Sequence, residues 1–250
     1  GVATIDYTDI DFGSTDNCGI VKRTLSKTQF DCDDVGANIL TYTIEDGNGN
    51  VATCNPTVYV EDYKEPTAVC QSITVQLDQN GEAVVVAADV DGGSYDNCGI
   101  DKMIVSPCEF NCSNIGSNTV TLVVIDVNGN MSSCTSTVTV EDNRAPLANC
   151  KNITIELDAA GQASISASDI DNDSTDNCGI DNISISQTNF DCSHIGNNSI
   201  TLTVEDVNGN ISTCTSTVTV EDNEDPTITG VPANITVTAN QNDCTPSVNW

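Results

Sequence analysis

The sequence predicts an all-β chain laid out as a linear array of small antiparallel sandwiches, and three observations carry that prediction. The first is repetition: Asp16-Asn17-Cys18-Gly19-Ile20 returns at Asp96 to Ile100 and at Asp176 to Ile180, and Asn48-Gly49-Asn50 returns at Asn128 and Asn208. Thr67 to Pro146 aligns with Leu147 to Pro226 without a gap and over half of the positions are identical. A fixed period of this kind, about 80 residues, is the signature of tandem modules rather than of one enzyme domain. The second is alternation: Ile73 to Leu77, Val120 to Val124 and Thr135 to Val140 alternate apolar and polar residues and are rich in β-branched side chains, which suits half-buried strands. The third is punctuation, since Asn-Gly sits between two such runs in every repeat and is a strong hairpin signal.

The elements follow in order. Residues 1–66 match the last part of the repeat, 67–146 and 147–226 are complete repeats, and 227–250 match its beginning, so the chain reads as a piece of a longer array. Within a complete repeat, strands are expected at 71–77, 83–90, 120–124 and 131–141, with no competing helical period. Short strands with turn residues every ten or so positions fit a sandwich of the immunoglobulin type. Only ten Phe, Tyr and Trp residues serve at least three cores, so those cores are aliphatic and thin, and cross-links should matter.

Thirty-seven acidic against seven basic residues give a net charge of −30. Such a surface repels nucleic acid and anionic membranes and attracts cations. No run approaches the apolar length of a membrane helix, and no leader pattern is present, so no membrane insertion is expected of this segment. Thirteen cysteines at repeating positions without CxxC spacing point to disulfides rather than zinc, and hence to an oxidising, extracytoplasmic location.

Strand parity places the acidic segments. A chain that enters each module at one end and leaves at the other puts the loop Asp91 to Asn97 and the turn Asp126 to Asn130 at the end facing the preceding linker, itself acidic (Glu61-Asp62, then Glu141-Asp142). Three carboxylate-bearing segments at one junction repel unless a cation sits among them, and calcium takes six to eight oxygens from flexible loops. Candidate ligands at the first junction are Glu61, Asp62, Asp89, Asp91, Asp96, Asp126 and Asn128; at the second they are Glu141, Asp142, Asp169, Asp171, Asp176, Asp206 and Asn208. The run Asp169 to Asp173 has the Asp-x-Asp spacing of part of a calcium loop but lacks the glycine and final glutamate of an EF-hand. The competing reading is plain turn chemistry, because Asp and Asn stabilise turns without a metal.

Cys70 lies four residues after the linker proline and Cys134 four after the Asn-Gly-Asn turn, so both sit near one end on neighbouring strands, which pairs Cys70 with Cys134 and Cys150 with Cys214. Elimination then expects Cys98 with Cys112, Cys178 with Cys192 and Cys18 with Cys32. Cys54 and Cys244 would find partners outside the segment, and Cys108, aligned with Thr28 and Thr188, has no counterpart and is expected to be free or mispaired.

These motifs together resemble a known family. Asp-Asn-Cys-Gly, a Phe-x-Cys with a following glycine (Phe190, Cys192, Gly196), Asp-x-Asn-Gly-Asn, a cysteine and Val-Glu-Asp-Asn-x-x-Pro are similar to the hyalin repeat, as is the tail Gly230 to Val237 followed by Cys244 and Trp250. Gly230 departs from it where a cysteine is expected. The resemblance covers the whole chain and implies adhesion, an immunoglobulin-like fold and extracellular residence. Near-identical gap-free versions resemble giant cell-surface adhesins of gliding Bacteroidota, exported by type IX secretion.

Catalysis is not expected. The single histidine, His194, aligns with Asn114 and Asp34, no phosphate loop appears, and a glycosidase cleft would need aromatic platforms that this chain lacks. Two non-enzymatic readings remain. One is a calcium-stiffened, disulfide-stapled stalk or filament that presents a surface ligand-binding tip elsewhere in the parent chain. The other makes the modules themselves glycan- or protein-binding adhesion domains of a matrix protein of the hyalin kind. The high identity between modules and the lack of an exposed aromatic or long apolar patch favour the stalk. Sequons such as Asn152-Ile153-Thr154 and Asn210-Ile211-Ser212 would carry sugar only in a eukaryotic secretory route.

Overall fold

The computed structural model describes residues 1–230. The expected opening of a further module, with Cys244, therefore lies outside the described residues beyond Gly230. The chain divides into two compact units, Gly1–Arg144 with the short loop Asn177–Gly179, and Ala145–Asp176 with Ile180 onward.

In the first unit the complete repeat builds a four-stranded sheet in the order Ile100–Ser106, Gly116–Asp126, Met131–Glu141, Ile73–Gln76. Gly116–Asp126 and Met131–Glu141 form one long antiparallel hairpin, and Ile73–Gln76 adds to its far edge in parallel, Ile73 beside Val138. A two-stranded ladder, Glu82–Val84 with Glu109–Asn111, makes a second, smaller sheet. The alternation of strand Gly116–Asp126 sends Val120, Leu122 and Val124 inward, where they are buried with Val138, Val140, Val90 and Phe110. The hairpin loop is closed by Asp126 N–H to Asn130 O at 3.0 Å, and Gly129 takes φ +91°, a left-handed setting that glycine reaches without steric cost.

The strand expected at 83–90 is only partly a strand. It ends at Val84, and Ala87–Val90 turns into a single α-helical turn. The turn buries Val90 under the sheet while Asp89 folds back so that its Oδ2 accepts the Val86 N–H at 2.8 Å. A carboxylate three residues after an extended residue caps the first turn, and this local bond overrides β-propensity.

The second unit repeats the plan one period later. Its sheet runs Ile153–Glu156, Ile211–Glu221, Gly196–Asp206, Ile180–Ile185, again with the first strand parallel to its neighbour, Ile153 beside Val218. Leu202, Val204, Ile200, Val218 and Ile170 fill its core.

Among the described residues four disulfides are formed: Cys32–Cys98, Cys70–Cys134, Cys112–Cys178 and Cys150–Cys214. The expected pairs Cys98–Cys112, Cys178–Cys192 and Cys18–Cys32 do not form. The reason is register. Ile100 pairs with Asp126, so Cys98 lies at the Asp126 end of the long strand, whereas Cys112 precedes Gly116 at its other end. Eleven residues at about 3.4 Å each separate those ends by roughly 37 Å, far beyond the ~6 Å that a bridge spans. Cys98 and Cys112 instead each bridge to the neighbouring repeat, to Cys32 and Cys178, with a sequence separation of 66 in both cases. Cys70 and Cys134 lie level because Ile73–Gln76, just after Cys70, pairs in parallel with Met131–Glu141, the strand that contains Cys134, with Ile73 beside Val138. Cys18, Cys54, Cys108 and Cys192 are exposed free thiols. Cys108 holds its place by backbone alone, its carbonyl accepting the Val85 N–H at 2.8 Å, as Thr28 and Thr188 do for Ile5 and Ile165.

Candidate metal centre

The linker after the first module, the Asp96 loop and the Asp126 hairpin loop meet inside the first unit. One carboxylate oxygen from each of Asp62, Asp96 and Asp126 lies within 4.8 Å of the other two. Asp126 is 1% exposed and ends the strand Gly116–Asp126. Its Oδ1 accepts the N–H groups of Asn128 and Asn130, each at 2.8 Å, and its Oδ2 accepts Asn130 Nδ2 at 2.7 Å. Burial alone would push its carboxyl up, but these bonds outweigh burial and hold it below the usual carboxylate value. Asp96 is fixed by Cys98 N–H at 2.7 Å and Gly99 N–H at 3.1 Å, both donating to Oδ1. Asp62 receives Lys64 N–H at 3.1 Å on Oδ1. Asn130 Nδ2 also donates to the Asp62 carbonyl at 3.0 Å, tying the linker to the hairpin loop.

What these bonds leave over matters more. Asp62 Oδ2, Asp96 Oδ2, Asn97 Oδ1 and Asn128 Oδ1 are all shut off from solvent and accept no hydrogen bond. Buried oxygens without donors are costly, and anionic ones more so. Three carboxylates at this spacing repel by on the order of 3 kcal/mol per pair at an effective dielectric of about 20. A set of carboxylate and amide oxygens is what a hard cation such as calcium takes.

Three other expected ligands at this junction are used elsewhere. Glu61 accepts the Tyr63 hydroxyl. Asp89 caps its own helical turn, and Asp91 holds its loop by accepting Ser94 N–H at 2.8 Å. Asn128 belongs with the cluster through its orphan oxygen. Asn97 is the residue that sequence reasoning missed: it donates from Nδ2 to Asp62 Oδ1 at 3.5 Å and presents Oδ1 without a partner. Its signal was its place in the repeated Asp-Asn-Cys-Gly motif.

The expected ligands of the next junction are divided between the units. In the first, Glu141 accepts Gln76 Nε2 at 2.7 Å, and Asp142, 5% exposed, accepts Asn177 Nδ2 at 3.2 Å. In the second, Asp206 repeats Asp126 with Asn208 and Asn210, Asp169 caps Ser166 as Asp89 caps Val86, and Asp171 accepts from Ser174; Asp176 precedes Asn177 in the same motif as Asp96.

His194 caps a short 3-10 turn: its Nδ1 lies 3.1 Å from the Asp191 N–H, the position that Asp34 Oδ2 takes for Asp31 at 2.9 Å and Asn114 Oδ1 for Asn111 at 2.9 Å. Its counterparts do the same structural task.

No family model matches the chain. Among curated proteins, hyalin from Strongylocentrotus purpuratus is 31% identical over 251 residues, covering 94% of this chain; the chain spans 20% of that protein's length. Among solved structures, titin domains I67–I69 match at 12% identity over 88% of this chain and 87% of theirs with a TM-score of 0.34, and mouse protocadherin PcdhgC3 EC1-3 at 13% over 78% and 82% with a TM-score of 0.33. Along 94% of its length the chain is similar to that hyalin, and its fold is a tandem of small β-sandwiches of the immunoglobulin type.

Proposed function

We propose that this segment is a non-enzymatic structural stalk of a large extracellular adhesion protein, stiffened at its junctions by calcium. The observation that carries the calcium reading is the cluster of Asp62, Asp96 and Asp126 with four inaccessible, unpartnered side-chain oxygens around it. The bridged cysteines support an oxidising, extracellular setting, and the hyalin match supports adhesion. The gap-free, near-identical repeats favour the stalk of a surface adhesin of the gliding type, with the ligand held elsewhere in the parent chain. Because the hyalin match runs through the repeats themselves, a second reading has the modules bind a glycan or protein partner directly.

Calorimetric titration of the chelator-stripped chain with calcium chloride is the test. Binding should appear at or below millimolar calcium and raise the melting temperature, and Asp62→Asn with Asp96→Asn should remove one site. These two are chosen because Asp126 also closes its own hairpin loop. No heat and no thermal shift at millimolar calcium would reduce the acidic loops to turn chemistry.

A further inference from the structure

The bridges overlap along the chain in a particular way. Cys32–Cys98 and Cys112–Cys178 each join cysteines 66 apart in sequence, so only the short stretch Cys98 to Cys112 lies between one bridge and the next. Cys70–Cys134 and Cys150–Cys214 each join cysteines 64 apart, and only Cys134 to Cys150 lies between them. These are two separate covalent routes through the same repeats. The segments Cys70 to Cys98, Cys112 to Cys134 and Cys150 to Cys178 cross from one route to the other.

We propose that the four bridges form a two-railed covalent ladder that carries tension along the repeats while shielding most of each repeat from being pulled out. One rail runs through Cys32, Cys98, Cys112 and Cys178; the other runs through Cys70, Cys134, Cys150 and Cys214. Fully drawn, the stretch Cys98 to Cys112 reaches roughly 50 Å, whereas an open repeat of about 80 residues reaches roughly 270 Å. An 11-residue strand spans roughly 37 Å, and Cys98 and Cys112 lie at its opposite ends, so the stretch between them is already largely extended in the folded protein.

The fold makes room for these sulfurs. Gly81, at φ +74°, lies where a Cβ would come within 2.6 Å of Cys112 Sγ, and Gly161, at φ +71°, where one would come within 2.8 Å of Cys192 Sγ. Cys192 stands one period after Cys112, and Cys18 stands one period before Cys98, so both exposed thiols sit at rail positions of the ladder.

This inference adds a mechanical role to the stalk reading and does not depend on calcium. The test is to pull the whole chain between its ends by single-molecule force spectroscopy in excess chelator, so that metal has no say. The shortest covalent path in the oxidised chain crosses Cys32–Cys98, follows the chain to Cys112, crosses to Cys178, returns to Cys150 and leaves through Cys214. Oxidised protein should therefore stop at about 110 residues of free chain, roughly 370 Å, against about 250 residues and roughly 850 Å after a dithiol has reduced it. Because the rails are redundant, single losses should be small. Cys70→Ser with Cys134→Ser should leave the limit unchanged, and Cys32→Ser with Cys98→Ser should add only about 12 residues, roughly 40 Å. All four substitutions together should add about 66 residues, roughly 220 Å. The limit counts covalent routes in the drawn-out chain, and a non-reducing peptide map of each variant identifies the bridges that remain. Oxidised protein that draws out to the reduced length would overturn the ladder. So would a gain of more than about 150 Å from losing Cys70–Cys134 alone, the behaviour of a single rail.

Discussion

The first 66 residues and the repeat that follows them share their motifs but not their depth of packing. In the complete repeat Val138 and Val140 are fully buried, and the core holds ten buried apolar side chains. In the earlier copy the equivalent Val58 and Val60 are half-exposed, Tyr59 is 73% exposed, and the buried apolar residues are Phe30, Leu40 and Tyr42. The long hairpin of the complete repeat is also cut in two, into Gly36–Ile39 with Thr57–Val60 and Tyr42–Asp46 with Val51–Cys54. One difference in sequence bears on the split. Pro56 stands where the later repeat has Ser136, and proline offers no N–H to the ladder.

The comparison breaks most sharply in the core. Leu122→Ala removes a fully buried side chain and should cost about 2–5 kcal/mol. Val58→Ala in the earlier copy should cost less than about 1 kcal/mol, because its side chain already meets water. Hydrogen exchange resolved by strand should show the first loss spread through Gly116–Asp126 and Met131–Glu141 and the second confined to Thr57–Val60.

Acid should act on both copies alike. The side chain and N–H of Asn50 hold the Asp46 carboxyl below its usual value; at Asp126 burial acts upward and the same bonds from Asn130 prevail. A carboxyl depressed in the folded state contributes stability that is fully present above its unfolded value of 3.8 and is lost as pH falls through the folded value. The melting temperature should stay flat from about pH 7 to 5 and drop by several degrees below about pH 4. A fall that begins near pH 6 would point to a different group.

The smallest effect sharpens the contrast. Pro56→Ser restores a ladder N–H and should stabilise the earlier copy by about 0.5–1 kcal/mol, read as new amide protection near Leu40, which already donates to the Pro56 carbonyl at 2.9 Å. If protection does not rise, the proline is not what splits the hairpin.

What was legible in the sequence was local. Alternation marked Gly116–Asp126 and Met131–Glu141, and Asn-Gly marked their turn, because both signals lie within a few residues of what they specify. The helical turn at Ala87–Val90 was missed because one capping bond from Asp89 decides it. Parity brought Asp62, Asp96 and Asp126 to one place but could not say that Asp89 and Asp91 were already spent on their own loops. The pairing of Cys98 failed for a different reason: elimination assumed that each module satisfies its own cysteines, and only strand register shows Cys98 and Cys112 at opposite ends.

The overlap of the bridges also governs what a protease can do. Every peptide bond between Cys32 and Cys214 is enclosed by at least one disulfide loop, and those from Cys70 to Cys98 by two. A single hydrolysed bond anywhere in that span leaves one covalent molecule, so a nicked chain keeps its mass until its disulfides are opened.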